Sequence, residues 1–341
     1  GFLANNFKGN DQQTATSTNA PLVKYASTNA ENSSAITGVA AAAANSIVEI
    51  TTSSATTDNY FGQFVSQGAG SGVIYSSDGY IVTCNHVIDG ANKITVRLKN
   101  GKTYPAKLIG IDRQTDVAII KISASGLQPA TLGDSNKLVV GELAVAIGNP
   151  LGELGGTVTN GIISALDREI NVNGENMRLL QTNAAINPGN SGGGLFNQQA
   201  QLVGITNAKS YGTDIEGLGF AIPINIVKDI ADELINHGYV SGRPVLGVAL
   251  VDVTNPQNAL MYNVNELGVY VYSLTSGGPA AKAGLKVGDL MISVNDKLIA
   301  SSSDVTTQLE NYKAGQTIKV VVERDGVKKT LNVILGEYKP S

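Results

Sequence analysis

Residues 186–195 read INPGNSGGGL and set one serine, Ser191, among glycines. Glycines around a hydroxyl let the backbone approach a substrate, so that main-chain amides become reagents. With Ser191 as nucleophile, the amides of Gly189 and Ser191, and of Asn190 between them, can hold a developing oxyanion, and Gly192 and Gly193 leave room for a substrate chain. A polar glycine-rich turn without chemistry has the same composition, so the serine needs partners. Near neutral pH its base is usually a histidine, and the chain has two. His237 ends the helical pattern NIVKDIADELINHG, where an imidazole suits the negative helix end and the next glycine stops the helix. His86 follows the apolar run YIVTC and has no comparable structural reason, which makes it the expected base. The carboxylate that orients it is expected at Asp116, at the head of DVAIIKI, a run too apolar for a free charge. Asp112, in GIDRQTD, is the competing carboxylate, and turn chemistry accounts for it. Cys84 is a rival nucleophile on paper, but its strand context reads as a small buried side chain.

The order His86, Asp116, Ser191 is that of β-barrel serine proteases, not of subtilisins or α/β-hydrolases. The elements that must position these groups fit a barrel. From residue 46 to 222 short strands alternate with turn signals such as SSDG at 76–79 and NG at 100–101, with no long amphipathic helix between them. GAGSG at 68–72 looks like part of a dinucleotide loop, but no helix follows it. Residues 225–237 carry Ile226, Ile230, Leu234 and Ile235 at helical spacing and read as a connector.

The bulk composition narrows the field. A chain of 341 residues is expected to hold two domains, and 15% charged residues with 39 glycines suit a loop-rich β protein. The net charge of −4 with no basic cluster excludes nucleic acid as an expected partner. No apolar run reaches the length of a membrane span, and one cysteine allows no intrachain disulfide. Residues 1–45, rich in Asn, Ser, Thr and Ala, read as a weakly ordered stalk or tail in which Ala40–Ala44 can form a helical turn.

The segments GSGVIY (70–75), TCNHVIDG (83–90), TDVAIIKI (115–122), LGDS (132–135), AVAIGNPLG (144–152), TVTNGIISAL (157–166), QTNAAINPGNSGGGLFN (181–197) and GLGFAIPIN (217–225) closely resemble the HtrA (DegP-like) serine proteases. The likeness continues into a PDZ domain, most specifically in residues 268–299. It implies a mainly β chain: a chymotrypsin-like double β-barrel over 46–222, a linker helix within 223–243 and an α+β PDZ domain over 244–338, after the tail 1–45. In the PDZ part a short helix is expected at Pro279–Ala283, a second near 303–311 and a hairpin through Asp325-Gly326; the family pattern makes Leu246-Gly247-Val248 the carboxylate-binding loop, although L-G-V is also an ordinary strand fragment.

The resemblance further implies an ATP-independent endopeptidase acting on unfolded or damaged proteins, with His86, Asp116 and Ser191 as triad and with no cofactor and no metal. Expected partners are unfolded protein or peptide substrates, C-terminal peptides at the PDZ domain, and further copies of the chain in a homotrimer or larger assembly. The expected location is extracytoplasmic, at a bacterial cell surface or periplasm, with membrane contact only through an anchor absent from this sequence. Tyr60, Phe61 and Phe64 are candidates for the trimer contact and equally for loop anchors, and residues 167–178 for a sensor loop. Residues 186–190 and 205–212 should line the pocket for the side chain before the cleaved bond, and without an acidic residue in the second stretch a small or medium aliphatic group is expected there. Three positions depart from the pattern: Asn183 for aspartate, Gly194 for proline, and Cys84 for asparagine or alanine. The rival readings are a chaperone or peptide-binding protein with minor or latent proteolysis, and a digestive protease of narrow specificity.

Overall fold

The computed structural model describes residues 28–58, 62–149, 156–172, 175–187, 189–208 and 218–339. The chain enters through a helix, α1 (Thr28–Ala43), and a single 3-10 turn. Strands β1 (Ile47–Asp58), β2 (Gly62–Ile74) and β3 (Tyr80–Cys84) follow, then the one-turn helix α2 (Asn85–Ile88), then β4 (Lys93–Arg97), β5 (Thr103–Asp112) and β6 (Val117–Ile122). These six strands close into a barrel in the order β1-β2-β3-β6-β5-β4. A second barrel follows from β7 (Leu143–Gly148), β8 (Thr157–Val172), β9 (Glu175–Thr182), β10 (Gly194–Phe196), β11 (Leu202–Thr206) and β12 (Gly219–Pro223), in the order β10-β11-β12-β9-β8-β7.

The hydrophobic patterns explain the two barrels. On β4, Ile94 and Val96 turn inward and alternate with more exposed neighbours, as on a strand with one wet face. On β6 the run VAIIKI is apolar on both faces for a reason: Ala118, Ile120 and Ile122 fill the first barrel, while Val117 and Ile119 face a core shared with the second. That shared core also takes Val145, Ile147, Phe196, Leu202 and Ile222, and it fixes how the barrels meet. Helix α3 (Ile224–His237) lies across it through Val227, Ile230, Ala231 and Leu234, and ends where the Gly238 N–H bonds to the Leu234 carbonyl.

The tail expectation is corrected over residues 28–43, which form α1. Alanine has the best helix propensity, and Val39 and Ala43 are buried in the shared core, so packing holds the helix in place. Residues 1–27 of that stretch lie outside the described residues. The expected loop at 167–178 differs too: residues up to 172 extend β8 and those from 175 extend β9, as one long hairpin. Of the three aromatic residues, Tyr60 and Phe61 lie outside the described residues, as does the Phe64 side chain.

The remaining elements are β13 (Pro244–Val245), β14 (Val248–Val253), α4 (Pro256–Met261), β15 (Gly268–Leu274), α5 (Pro279–Ala283), β16 (Leu290–Val294), β17 (Lys297–Leu298), α6 (Ser302–Leu309), β18 (Thr317–Arg324), β19 (Val327–Ile334) and β20 (Gly336–Glu337). Strands β14, β15, β16, β18 and β19 pair in that order, β17 joins β16, and β13 pairs with β20. Their core is separate and is built from Val269, Val271, Met291, Ile318, Val320, Val322 and Val333 with Val305 of α6.

Candidate active site

Three chain segments from two barrels meet at one point. His86 is delivered by β3 and sits in α2, directly after Cys84 and Asn85. Asp116 precedes β6 in a turn, with a backbone φ of 57°, an uncommon conformation for a non-glycine residue. The turn holds itself: the Asp116 N–H donates to the Arg113 carbonyl, and the Asp116 carbonyl accepts from the Asn85 N–H at 2.8 Å. Asp116 Oδ1 accepts the His86 backbone N–H at 2.9 Å, and Oδ2 lies 2.5 Å from His86 Nδ1. Ser191 Oγ, from the turn before β10, lies 2.7 Å from His86 Nε2. The Oγ, the imidazole and the carboxylate thus form one continuous hydrogen-bonded chain across the junction of the barrels. Such a chain can move a proton from the hydroxyl to the ring while the carboxylate holds the ring's other nitrogen.

The turn around Ser191 is pinned from both barrels. The Ser71 N–H donates to the Ser191 carbonyl at 2.9 Å, and the Ser71 hydroxyl donates to the Gly189 carbonyl at 2.8 Å. From β11, the Thr206 hydroxyl donates to the Asn190 carbonyl at 2.5 Å, while the Gly192 N–H donates to the Thr206 carbonyl at 2.8 Å. Gly192 has φ 82°, and a Cβ there would lie 2.2 Å from the Ser71 carbonyl oxygen, so both backbone and space require glycine. The turn also corrects one expectation. The Asn190 N–H donates to the Asn187 carbonyl at 2.8 Å and its side chain to the Ala185 carbonyl at 3.2 Å, so Asn190 braces the turn instead of facing an oxyanion. The Ser191 N–H meets no acceptor among the described residues.

The other singled-out residues fall elsewhere. Asp112 accepts two hydrogen bonds from Arg243, at 3.1 and 2.7 Å, and one from the Thr115 hydroxyl. His237 closes α3 beside Tyr239. Asn183 accepts the Ile162 N–H through its side-chain oxygen at 2.8 Å. Cys84 is buried, and its thiol donates to the Thr206 carbonyl at 3.4 Å. Cys84, His86 and Asp116 offer ligand atoms within 4.8 Å of one another. Since both Asp116 oxygens already accept hydrogen bonds, the cluster is a bonded chain and not an open ligand set. Of residues 186–190 and 205–212, Pro188 and 209–212 lie outside the described residues.

Two contributors were not singled out from sequence. Ser71 lies in GSG, where the hydroxyl reads as a turn residue. Asn207 donates its side-chain amide to Asp116 Oδ2 at 2.9 Å, and its only sequence signal is a buried-strand context that leaves a polar residue to be explained.

In the last unit, Leu246, Gly247 and Val248 lie between β13 and β14 beside a groove of about 520 Å³ that Leu250, Val305 and Leu309 also line. Gly247 has φ 76°, and its carbonyl accepts the Thr275 N–H, so the loop is held open by backbone geometry.

Comparison with known proteins agrees with this architecture. Residues 70–205 match the family described as a trypsin-like peptidase domain, and residues 244–335 match a PDZ domain. The chain is 45% identical over 288 residues to "Serine protease Do-like HtrB" of Bacillus subtilis (strain 168), covering 80% of this chain and 63% of that protein. It is 43% identical to "Serine protease Do-like HtrA" of Lactococcus lactis subsp. cremoris (strain MG1363), covering 79% and 70%. It is 45% identical to "Probable periplasmic serine endoprotease DegP-like" of Pseudomonas savastanoi pv. phaseolicola (strain 1448A / Race 6), covering 79% and 56%. Among solved structures, "HtrA-type protease AlgW with decapeptide" superposes with a TM-score of 0.58 at 34% identity, covering 90% of this chain and 99% of that one. Two barrels joined around a serine–histidine–aspartate chain, a PDZ unit behind them and these likenesses agree: the chain belongs to the HtrA family of serine proteases.

Proposed function

We propose that the chain is an ATP-independent serine endopeptidase for unfolded or damaged proteins outside the cytoplasm. The observation that carries this reading is the chain Ser191 Oγ–His86–Asp116, with links of 2.7 and 2.5 Å. In this mechanism Ser191 attacks a peptide carbonyl and His86 takes the hydroxyl proton and passes it to the leaving amine. Asp116 holds the ring and its tautomer. The amides of Gly189 and Ser191 face the oxyanion. Water then repeats the steps on the acyl-enzyme, and no cofactor is needed.

The groove beside Leu246, Gly247 and Val248 suits an extended peptide laid against β14, with its carboxylate at the Gly247 loop and an apolar side chain towards Val305 and Leu309. An oligomer, with a trimer as the first expectation, belongs to the same proposal. The extracytoplasmic location is supported by the likeness to the Pseudomonas relative, a probable periplasmic endoprotease. Among the described residues no helix is long and apolar enough to cross a membrane.

The test is cleavage of reduced casein beside a native protein, by the chain and by Ser191→Ala. The chain should cut the unfolded substrate only, and Ser191→Ala should lose a factor of about 10⁶ in turnover. Equal cleavage by the two proteins would remove the reading.

A further inference from the structure

Asp116 has one more partner than the serine–histidine–aspartate chain requires. Its Oδ1 accepts the His86 backbone N–H, and its Oδ2 accepts from two side chains, His86 Nδ1 at 2.5 Å and Asn207 Nδ2 at 2.9 Å. Asp116 is 2% exposed and Asn207 0%. A buried carboxylate keeps its charge only where donors replace water. The amide therefore shares the very oxygen that faces the ring.

Two physical effects follow. The bond stops the carboxylate from rotating, so Oδ2 stays in line with Nδ1. It also draws on the oxygen's negative charge, so the imidazolium formed during attack is held less tightly than a carboxylate with one partner would hold it.

The brace is stiff because its backbone is tied on both sides. The Asn207 N–H donates to the Phe220 carbonyl at 2.9 Å. Thr206 before it grips the nucleophile turn, and the Ala208 N–H after it donates to Ser191 Oγ at 3.2 Å. Thr206, which ends β11, and the two residues after it thus hold the nucleophile turn, the carboxylate and the hydroxyl together. Asp116 belongs to the first barrel and Asn207 to the second, so the contact also crosses the junction on which the geometry depends.

We propose that Asn207 is a positioning residue for catalysis: its side-chain amide fixes the Asp116 carboxylate and tempers that group's hold on the His86 imidazolium. The inference rests on the catalytic reading of Ser191, His86 and Asp116 given above.

Among the described residues, the ionisable groups gathered at this point are His86 from α2, the Cys84 thiol from β3 and Asp116 itself. Removing the amide leaves the Asp116 charge undiluted against the ring, and Asn207→Asp adds a second anion. Both favour the protonated ring. Since attack needs the ring unprotonated, activity should recover only at higher pH.

The experiment measures kcat and KM on labelled unfolded casein across pH for the full chain, Asn207→Asp, Asn207→Ala and Ser191→Ala, with thermal unfolding of each. Both Asn207 variants should lose about 10- to 100-fold in kcat, as for a hydrogen bond to a buried charge. KM should be nearly unchanged, and the acid limb of kcat should move to higher pH. An acid limb left in place, whatever the loss in rate, would reduce Asn207 to a structural residue and overturn the proposal. Cleavage retained by Ser191→Ala would remove the catalytic reading instead. If Asn207→Asp does not fold, Asn207→Ser decides: it keeps a donor and must shift the limb less than Asn207→Ala, and an equal shift counts against the proposal.

Discussion

At the scale of single residues, the left-handed backbone of Asp116 carries a conformational cost, since side chains rarely occupy that region. Its carbonyl and carboxylate both grip the start of α2, so the conformation is held by the contacts that aim His86. Asp116→Asn should keep this grip, favour the wrong tautomer and lose about 10⁴ in turnover at neutral pH, measured beside the wild-type chain. Gly194 carries a different constraint. A Cβ there would lie 2.4 Å from a buried ring carbon of Phe196, which explains why this chain departs from proline at that position. Gly194→Ala should therefore cost about 1–3 kcal/mol of stability by overpacking, and Phe196→Leu should recover part of it in urea unfolding. Ser191, His86 and Asp116 were legible because each is an unusual residue for its local pattern. Asn207 was not, because the contact that matters lies 91 residues away in sequence, and a polar residue just past a buried strand does not by itself name its partner.

Elements add a second layer of control. The β6 run and the α3 spacing were readable because hydrophobic periodicity reports which faces are dry. The placement of α1 was not, since its composition is that of a solvated segment and its anchors are few: Val39 and Ala43 in the shared core, with Ile36 packed against it. Val39→Asp should release the helix and lower the melting temperature, whereas substitution of exposed Ala41 should change little. Helix α6, which walls the groove beside Gly247, begins with a capping box: the Ser301 hydroxyl accepts the Asp304 N–H, and the Asp304 carboxylate accepts the Ser301 N–H. The Ala300 and Ser301 amides hold the Asp304 carboxyl below the usual carboxylate range. A carboxyl lowered in the folded state stabilises above its ordinary range, and that contribution is lost as pH falls through the lowered value. Asp304→Asn should thus cost on the order of 1 kcal/mol at pH 7 and less at pH 3, read from urea melts at each pH.

On the scale of the whole molecule, the two units meet where Arg243 reaches back to Asp112 and Gln114. The cleft beside this contact, of about 230 Å³, shares Pro244, Val245, Thr306, Leu309 and Tyr338 with the groove beside Gly247. Arg243→Ala leaves the buried Asp112 carboxylate with the Thr115 hydroxyl as its one side-chain partner among the described residues and should destabilise the junction. Breaking a buried pair costs about 3–5 kcal/mol, and the figure is smaller here because the Arg243 side chain is 25% exposed. Calorimetry should show the PDZ transition separating from that of the barrels in the variant, and one unchanged transition would refute the coupling.

The single cysteine has a use that no other side chain shares. Cys84 is fully buried behind the hydrogen-bonded chain, and no second thiol competes for a reagent. Its thiol lies in the core shared by the barrels, so a thiol-specific label applied to the native protein can react only when the junction between them opens beside β3. Its rate is a built-in clock for that opening, free of any engineered probe. Followed with and without a peptide on the distant groove, the same clock tells whether events in the PDZ unit stiffen or loosen the junction between the barrels that carry His86 and Ser191.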